Sequence, residues 1–274
     1  MEKIVSIVIP CFNHGKYIRE TIDSIPLKDN PKLEIIIVND GSTDAYTQEV
    51  LAALRAEGFW VVNQQNQGLG KTRNNGIKLA TGKYILPLDA DNKLLPLYLS
   101  KGIDYLEENT EISVLYGDFV YFGDKSEHIK VADFNLQKLM TGNYIDACAI
   151  FRRSAWEQIG GYDENMPFMG VEDWEFWLHL SFMGHRFFHM PEPAYFYRVN
   201  SASMIHKDTS PNYQMLRNYV EEKHAYYLNF DAPANFYINK FKAGPLVFIL
   251  KLFLLGYLPK FYQKLVAKKR LKRF

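Results

Sequence analysis

An α/β fold with a mostly parallel central sheet flanked by helices is predicted from three observations. Short apolar runs recur at residues 4–10, 33–38, 59–62 and 84–88, each the length of a strand and all but the third read as buried. Segments with helical apolar spacing lie between them, and an alternation of strand and helix is the grammar of βαβ units. Polar and glycine-rich turns follow the strands, at Cys11-Phe12-Asn13-His14-Gly15 and Asn39-Asp40-Gly41-Ser42-Thr43-Asp44, where an open α/β sheet gathers its ligands.

The elements follow in order. The first strand stops at Pro10, and Tyr17, Ile18, Ile22 and Ile25 then mark one face of a helix over 16–25. After the second strand, Asp44 and its neighbours offer caps for a helix over 46–57 that Gly58 closes. The third strand leads through Gly68, Gly70 and Gly76 to a helix over 77–80 that ends at Gly82. The fourth runs into Asp89-Ala90-Asp91-Asn92, which either forms a site or caps a helix opened by Pro96 and Leu97.

The second half predicts a mixed extension of the sheet that receives a second substrate. Strands are expected at 112–118 and 119–122, with a turn at Gly123-Asp124-Lys125-Ser126, a return at 128–131 and a further strand over 143–152. Ser154 is expected to cap a short helix ending at Gly160-Gly161. Gly170-Val171-Glu172-Asp173 opens a helix to about Met183, on which Trp174 and Trp177 share a face as core side chains or as a sugar-stacking pair. An aromatic strand, Tyr195-Phe196-Tyr197-Arg198, then enters a polar loop carrying His206.

The chain has 274 residues, 47% of them hydrophobic and 23% charged, enough for one large or two small domains with a real core. Cys11 and Cys148 make neither a metal spacing nor a disulfide framework, and the first residues lack the pattern of a signal peptide, so a cytoplasmic setting is expected. Residues 232–274 hold ten Lys and Arg and no acidic residue, so the rest of the chain carries −9 against the whole chain's +1. An acidic body with a basic arm is the picture this gives.

Two carboxylates one residue apart at a strand end suit a hard cation, Mg²⁺ or Mn²⁺, of the kind that neutralises a diphosphate. Gly70-Lys71-Thr72 imitates the end of a P-loop, but Gln65 stands where that motif needs glycine. Asp173, at a helix start, is expected to have its pKa lowered by the helix dipole and is a candidate general base; the alternative is a simple cap.

Taken in register over residues 3–210, these pieces resemble the inverting family-2 glycosyltransferases of the GT-A fold, of the bacterial cell-surface polysaccharide type. The resemblance rests on Val8-Ile9-Pro10-Cys11-Phe12-Asn13, Ile37-Val38-Asn39-Asp40-Gly41-Ser42-Thr43-Asp44, Gly68 to Gly76 with Arg73-Asn74, Asp89-Ala90-Asp91, Gly161-Tyr162-Asp163-Glu164, Glu172-Asp173 and Tyr197-Arg198. It implies a nucleotide-sugar-binding half over 1–100 and an acceptor half over 101–210; residues 211–274, beyond it, are expected to form a helical, basic, membrane-associating extension.

It also implies roles. Pro10, Phe12, Asp40, Arg73, Asn74, Asp89 and Ala90 would line the site for a UDP-sugar, with Asp40 accepting the uracil N3–H. Asp91, with Asp89 and His206, would hold Mn²⁺ or Mg²⁺. Asp173, or its neighbour Glu172, would deprotonate a hydroxyl of a glycan or lipid-linked acceptor, so that a hexose is transferred with inversion. The competing readings are a P-loop-like nucleotide hydrolase and a catalytically inactive glycan-binding protein on the same fold.

In the tail, an apolar run over 246–259 is broken by Lys251 and is too short to span a bilayer. The interleaved basic and apolar residues of 260–274 suit a helix lying on an anionic membrane. A peripheral place on the inner face of the plasma membrane is therefore expected; the alternatives are packing, including a homodimer, and nucleic-acid binding, the least favoured of the three.

Overall fold

The computed structural model of the chain describes residues 4–26, 30, 32–200, 209–225, 227, 238 and 241–258. Two compact units are present, Met1–Tyr227 and Leu228–Phe274.

The first unit is built on a nine-stranded sheet. Strands β1 (Val5–Cys11), β2 (Leu33–Asp40), β3 (Trp60–Gln64) and β4 (Tyr84–Pro87) pair in parallel in the order β3-β2-β1-β4. Helices α1 (Gly15–Asp23), α2 (Ala45–Ala56) and α3 (Leu69–Leu79) connect them. Every residue of β1 and β4 is buried, which is why these strands read as unbroken apolar runs rather than alternating ones. Helix α3 comes close to the sheet because Gly76 has no side chain: a Cβ there would stand 2.4 Å from Val8 Cγ1.

Beyond β4 the sheet becomes mixed, as the second half of the sequence predicts. After β5 (Lys93–Leu94) and α4 (Tyr98–Glu108) come β6 (Ile112–Gly123), β7 (Glu127–Ile129), α5 (Leu136–Thr141), β8 (Ile150–Arg152), α6 (Arg153–Ile159), α7 (Glu172–Phe182) and β9 (Arg186–Val199). Strand β8 is antiparallel to β4 and β6, whereas the long β6 and β9 run parallel. Helix α8 (Ser210–Lys223) closes the unit by burying Leu216 and Val220. The compact unit formed by these elements runs to Tyr227.

Several local expectations need correcting. The strand expected over 143–152 forms only at its end. Asn143 Oδ1 accepts from the Ile145 N–H and Asp146 Oδ1 from the Cys148 N–H, and such local side-chain turns compete with a ladder. The return strand stops at Ile129 because the Val131 N–H bonds the Asp118 carboxylate instead. Helix α6 starts one residue before Ser154, with Arg152 at its cap position and no side-chain cap. Helix α3 starts at Leu69, eight residues earlier than expected, which puts Arg73 and Asn74 on a helix rather than in a loop.

In the second unit, α9 (Pro245–Tyr257) is a 13-residue apolar helix with Leu246, Val247, Ile249, Leu250, Leu252 and Phe253 exposed. Among the described residues no helix is long and apolar enough to cross a membrane. The basic stretch over 260–274 lies outside the described residues.

Candidate active site

The loops after β1 and β2 are clasped by Asn13. Its backbone takes a left-handed φ of 57°, which asparagine tolerates, and its Oδ1 accepts from the Thr43 and Asp44 N–H groups at 2.9 Å each. Asp44 in turn caps α2 through the Thr47 N–H. Pro10 lies within β1, while Phe12 beside it is exposed. Asp40, at the end of β2, is buried, and its carboxylate accepts from Gln64 Nε2 at 2.7 Å, Gln67 N at 2.8 Å and Gly68 N at 3.1 Å. Asp40 thereby fixes the chain entering α3.

From α3, Arg73 reaches the end of β4, where its Nη2 lies 2.9 Å from Asp89 Oδ1. The Arg73 side chain is buried and its Nε has no protein partner. Burial opposes its charge, but Asp89, Tyr162, Glu172 and Asp173 more than offset this and raise its pKa.

Asn74 faces a different structure. Its Nδ2 donates to Tyr162 O and Glu164 Oε1, and its Oδ1 accepts from Trp156 Nε1 and the Tyr162 N–H, all at 2.9–3.0 Å. A Cβ on Gly161, whose φ is +89°, would stand 2.6 Å from that Oδ1. Asn74 is therefore the knot that holds the Gly161-Tyr162-Asp163-Glu164 turn against α3.

The segment Asp89-Ala90-Asp91 does not cap α4, whose N-terminus lies at Leu97–Tyr98 without a side-chain cap. Ala90 O instead accepts from Thr21 Oγ1, and Asn92 Oδ1 accepts from the Arg198 N–H. Arg198 also donates through Nε to Asp91 O at 3.0 Å, pairs with Glu20, and lies over the rings of Tyr17 and Phe122. Arg198, near the end of β9, thus buttresses the carboxylate loop. Asp91 is half-buried; burial raises its pKa and Asp89 adds to this, while His14 and Arg198 oppose it.

Helix α7 brings the other carboxylates. Trp174 and Trp177 are fully buried core residues, and their Nε1 atoms donate to Leu139 O and Ile145 O. They pin the segment before β8 against α7, and Asn143 in that segment donates to Asp173 Oδ2 at 2.8 Å. Glu172 is buried and turns back, both of its oxygens accepting from the Gly170 N–H. The Asp173 pKa is not lowered as expected but pushed up to about 7. Burial is the main cause, and Asp146 and Glu172 add to it, outweighing Arg73 and the helix start.

A cavity of about 270 Å³ joins the Arg73–Asp89 pair to the start of α7; Asp40, Asn74, Ala90 and Asp91 do not line it. Arg73, Asp89, Glu172, Asp173 and Asp146 line it together with aromatic side chains that include Tyr121 and Tyr197. Asp146 was not singled out from the sequence. Its carboxyl is pushed up to about 6 by burial and then by Asp89. A polar Asn143 and Asp146 interrupting an apolar run was the available signal. His206 lies outside the described residues, and among those described no cluster of three or more His, Cys, Asp or Glu side chains could hold a metal.

The arrangement places a guanidinium-paired carboxylate at a strand end across one cavity from a carboxylate whose pKa lies near neutrality. That is the equipment for holding an anionic leaving group on one side and accepting a proton on the other.

The model of glycosyl transferase family 2 matches residues 6–160 of the chain. An uncharacterized glycosyltransferase of Methanocaldococcus jannaschii is 27% identical over 236 residues, covering 80% of each chain. An uncharacterized glycosyltransferase of Haemophilus influenzae is 26% identical over 82% of this chain and 75% of its own length. Among solved structures, S. aureus TarS 1-349 in complex with UDP-GlcNAc superposes with a TM-score of 0.61 at 21% identity, over 73% of this chain and 60% of that one. The family model matches more than half of the chain, and the chain belongs to glycosyl transferase family 2, the inverting glycosyltransferases of the GT-A fold.

Proposed function

We propose that the chain transfers a hexose from a UDP-sugar, with inversion, to a hydroxyl of a glycan or lipid-linked acceptor in cell-surface polysaccharide synthesis. The observation that carries this reading is the single cavity shared by the Arg73–Asp89 pair and Asp173. A fold-mate bound to UDP-GlcNAc supports the choice of donor.

In this reading Pro10, Phe12 and Asp40 take the uracil and ribose, and Arg73, Asp89 and Ala90 the adjoining part of the nucleotide. Asn74 contributes by holding the 161–164 turn. Asp173 accepts the acceptor's hydroxyl proton as that oxygen attacks the anomeric carbon. The bond from that carbon to the diphosphate oxygen breaks, and its electron pair leaves with UDP. Glu172, turned back on Gly170, is the less suited of the two candidate bases.

In this reading Asp91 and Asp89 would hold Mg²⁺ or Mn²⁺, ions that take one or two carboxylates and complete their shell with phosphate oxygens and water. When bound, the metal would offset charge developing on the leaving diphosphate. With its exposed apolar α9 and cation-rich end, the tail would hold the enzyme peripherally on the inner face of the plasma membrane, near a lipid-linked acceptor.

The test is a thermal-shift series with UDP and CDP, with Mn²⁺ or with EDTA. The expected result is a UDP-dependent rise in Tm that needs the metal and that Asp91→Ala removes. Equal stabilisation by UDP in EDTA would overturn the metal assignment, and equal stabilisation by CDP would overturn the role of Asp40.

A further inference from the structure

In any in-line displacement the donor sugar ring occupies the space between the leaving diphosphate and the base. Here that space is bounded by the end of β4, which carries Asp89, and the start of α7, which carries Asp173. The segment before β8 enters between them, and Asp146 on it faces the same cavity. Its place there is fixed at both ends. Asn143 ties the segment to Asp173, Trp177 ties Ile145 O to α7, and the Cys148 N–H holds Asp146 Oδ1 at 2.9 Å.

The cavity lining is lopsided. Four carboxylates, on Asp89, Asp146, Glu172 and Asp173, face one cation, Arg73, whose buried Nε has no protein partner. Glu172 is occupied by Gly170, Asp89 by Arg73 and Asp173 by Asn143 together with the Trp174 N–H, while Asp146 gives Oδ1 to the Cys148 N–H and has Tyr195 beside it. Carboxylate acceptor oxygens outnumber the donor groups on these walls, so a ligand that fills this space is matched by hydroxyls that donate. The rings of Phe119, Tyr121 and Tyr197 supply flat apolar walls. Carboxylate acceptors beside aromatic faces match the hydroxyls and C–H faces of a neutral sugar and oppose a negatively charged one.

We propose that Asp146 is a specificity-determining residue that accepts hydrogen bonds from ring hydroxyls of the donor sugar, selecting neutral hexoses over uronic acids. This inference rests on the UDP-sugar reading above. A hydrogen bond to a charged group contributes roughly ten- to a hundredfold in affinity, and the contribution belongs to the sugar, not to the nucleotide.

Binding of UDP, UDP-glucose, UDP-GlcNAc and UDP-glucuronate, measured by calorimetry with Mn²⁺ present, tests it on the full chain. The unaltered protein is expected to bind at least one of the two neutral sugar nucleotides about tenfold or more tightly than UDP, and UDP-glucuronate no more tightly than UDP. Asp146→Ala should bring the neutral sugar nucleotides down to the UDP value and leave UDP itself within about twofold, the retained UDP binding showing that the site still folds. Asp146→Asn should narrow the gap between UDP-glucose and UDP-glucuronate. Unchanged sugar increments in both variants, or equal binding of glucose and glucuronate nucleotides to the unaltered protein, would overturn the role of Asp146. Absence of UDP binding to the unaltered protein would instead overturn the UDP-sugar reading itself.

Discussion

Asn143 Nδ2 donates to Asp173 Oδ2 at 2.8 Å, so the segment before β8 orients the carboxylate at the start of α7. The hydrogen bond leaves the proton-accepting capacity of the carboxylate intact while restricting its rotation. Asp173→Asn keeps the shape and removes the basicity. UDP affinity should stay within about threefold, while transfer falls by at least ~10²-fold, the usual share of a positioned general base. Near-normal turnover in that variant, with Glu172→Gln inactive, would move the role to the neighbouring residue.

A base with a pKa pushed up to about 7 gives a signed pH dependence. Transfer should fall as pH drops below about 7, because protonated Asp173 cannot accept the acceptor's proton. The effect on stability runs the other way. The unfolded chain releases this proton near the ordinary carboxylate value and the folded chain only near 7, so folding loses stability as pH rises between those values. Asp173→Asn should therefore raise Tm at pH 8. The gain is on the order of 1–2 kcal/mol, a few degrees, after allowing for the solvent that reaches the half-buried carboxylate. A variant whose Tm at pH 8 equals that of the unaltered protein would show that burial does not penalise this charge.

Asn74 carries four hydrogen bonds within a buried knot, two as donor and two as acceptor. Asn74→Ala would leave Tyr162 O and the Trp156 and Tyr162 N–H groups without their partner in a place water reaches poorly. Each unpaired buried group costs about 1–3 kcal/mol, so the three together are expected to cost at least roughly 3 kcal/mol. Urea unfolding monitored by tryptophan fluorescence would read it, since Trp156 is itself in the knot. A loss below about 1 kcal/mol would mean that the knot contributes little.

The parallel half of the fold was legible because β1, β2 and β4 are buried on both faces, and a buried strand must be apolar throughout. Asp89, Asp91 and Asp173 stand out as candidates in the sequence because each lies where a strand ends or a helix starts. What could not be read depends on tertiary partners. Asn74 looks like a ligand-facing residue until the Tyr162 backbone, 88 residues away, accounts for its amide. The direction of the Asp173 shift was misread because the helix start is local and visible, whereas burial and Asp146 come from packing. Asp146 itself was hidden inside an apparent strand that its own side chain helps to prevent. Strand β5 has two residues and exists through its pairing with Tyr195 and Phe196. No pattern that short carries a period.

The tail yields a prediction separable from the chemistry. Helix α9 has 13 residues, about 20 Å at 1.5 Å per residue, against a hydrocarbon core of about 30 Å. It exposes apolar side chains at consecutive positions, Leu246 at 84% and Val247 at 59%, a surface that solvent alone does not favour. The ten cations of residues 232–274, without an acidic residue among them, would each add about 1 kcal/mol near an anionic leaflet, an attraction that salt screens. The full chain should therefore sediment with phosphatidylserine-containing vesicles at low salt and be released as salt rises, while a chain ending near Ala243 should stay in the supernatant. Arg73, Asp89, Asp91 and Asp173 all belong to the unit that ends at Tyr227, so the shortened chain should still bind UDP. Sedimentation unchanged by salt or by truncation would place membrane binding elsewhere. A shortened chain that no longer folds would assign the tail to the packing of the enzyme or to a dimer, and the apolar surface of α9 would then be an interface between protein chains.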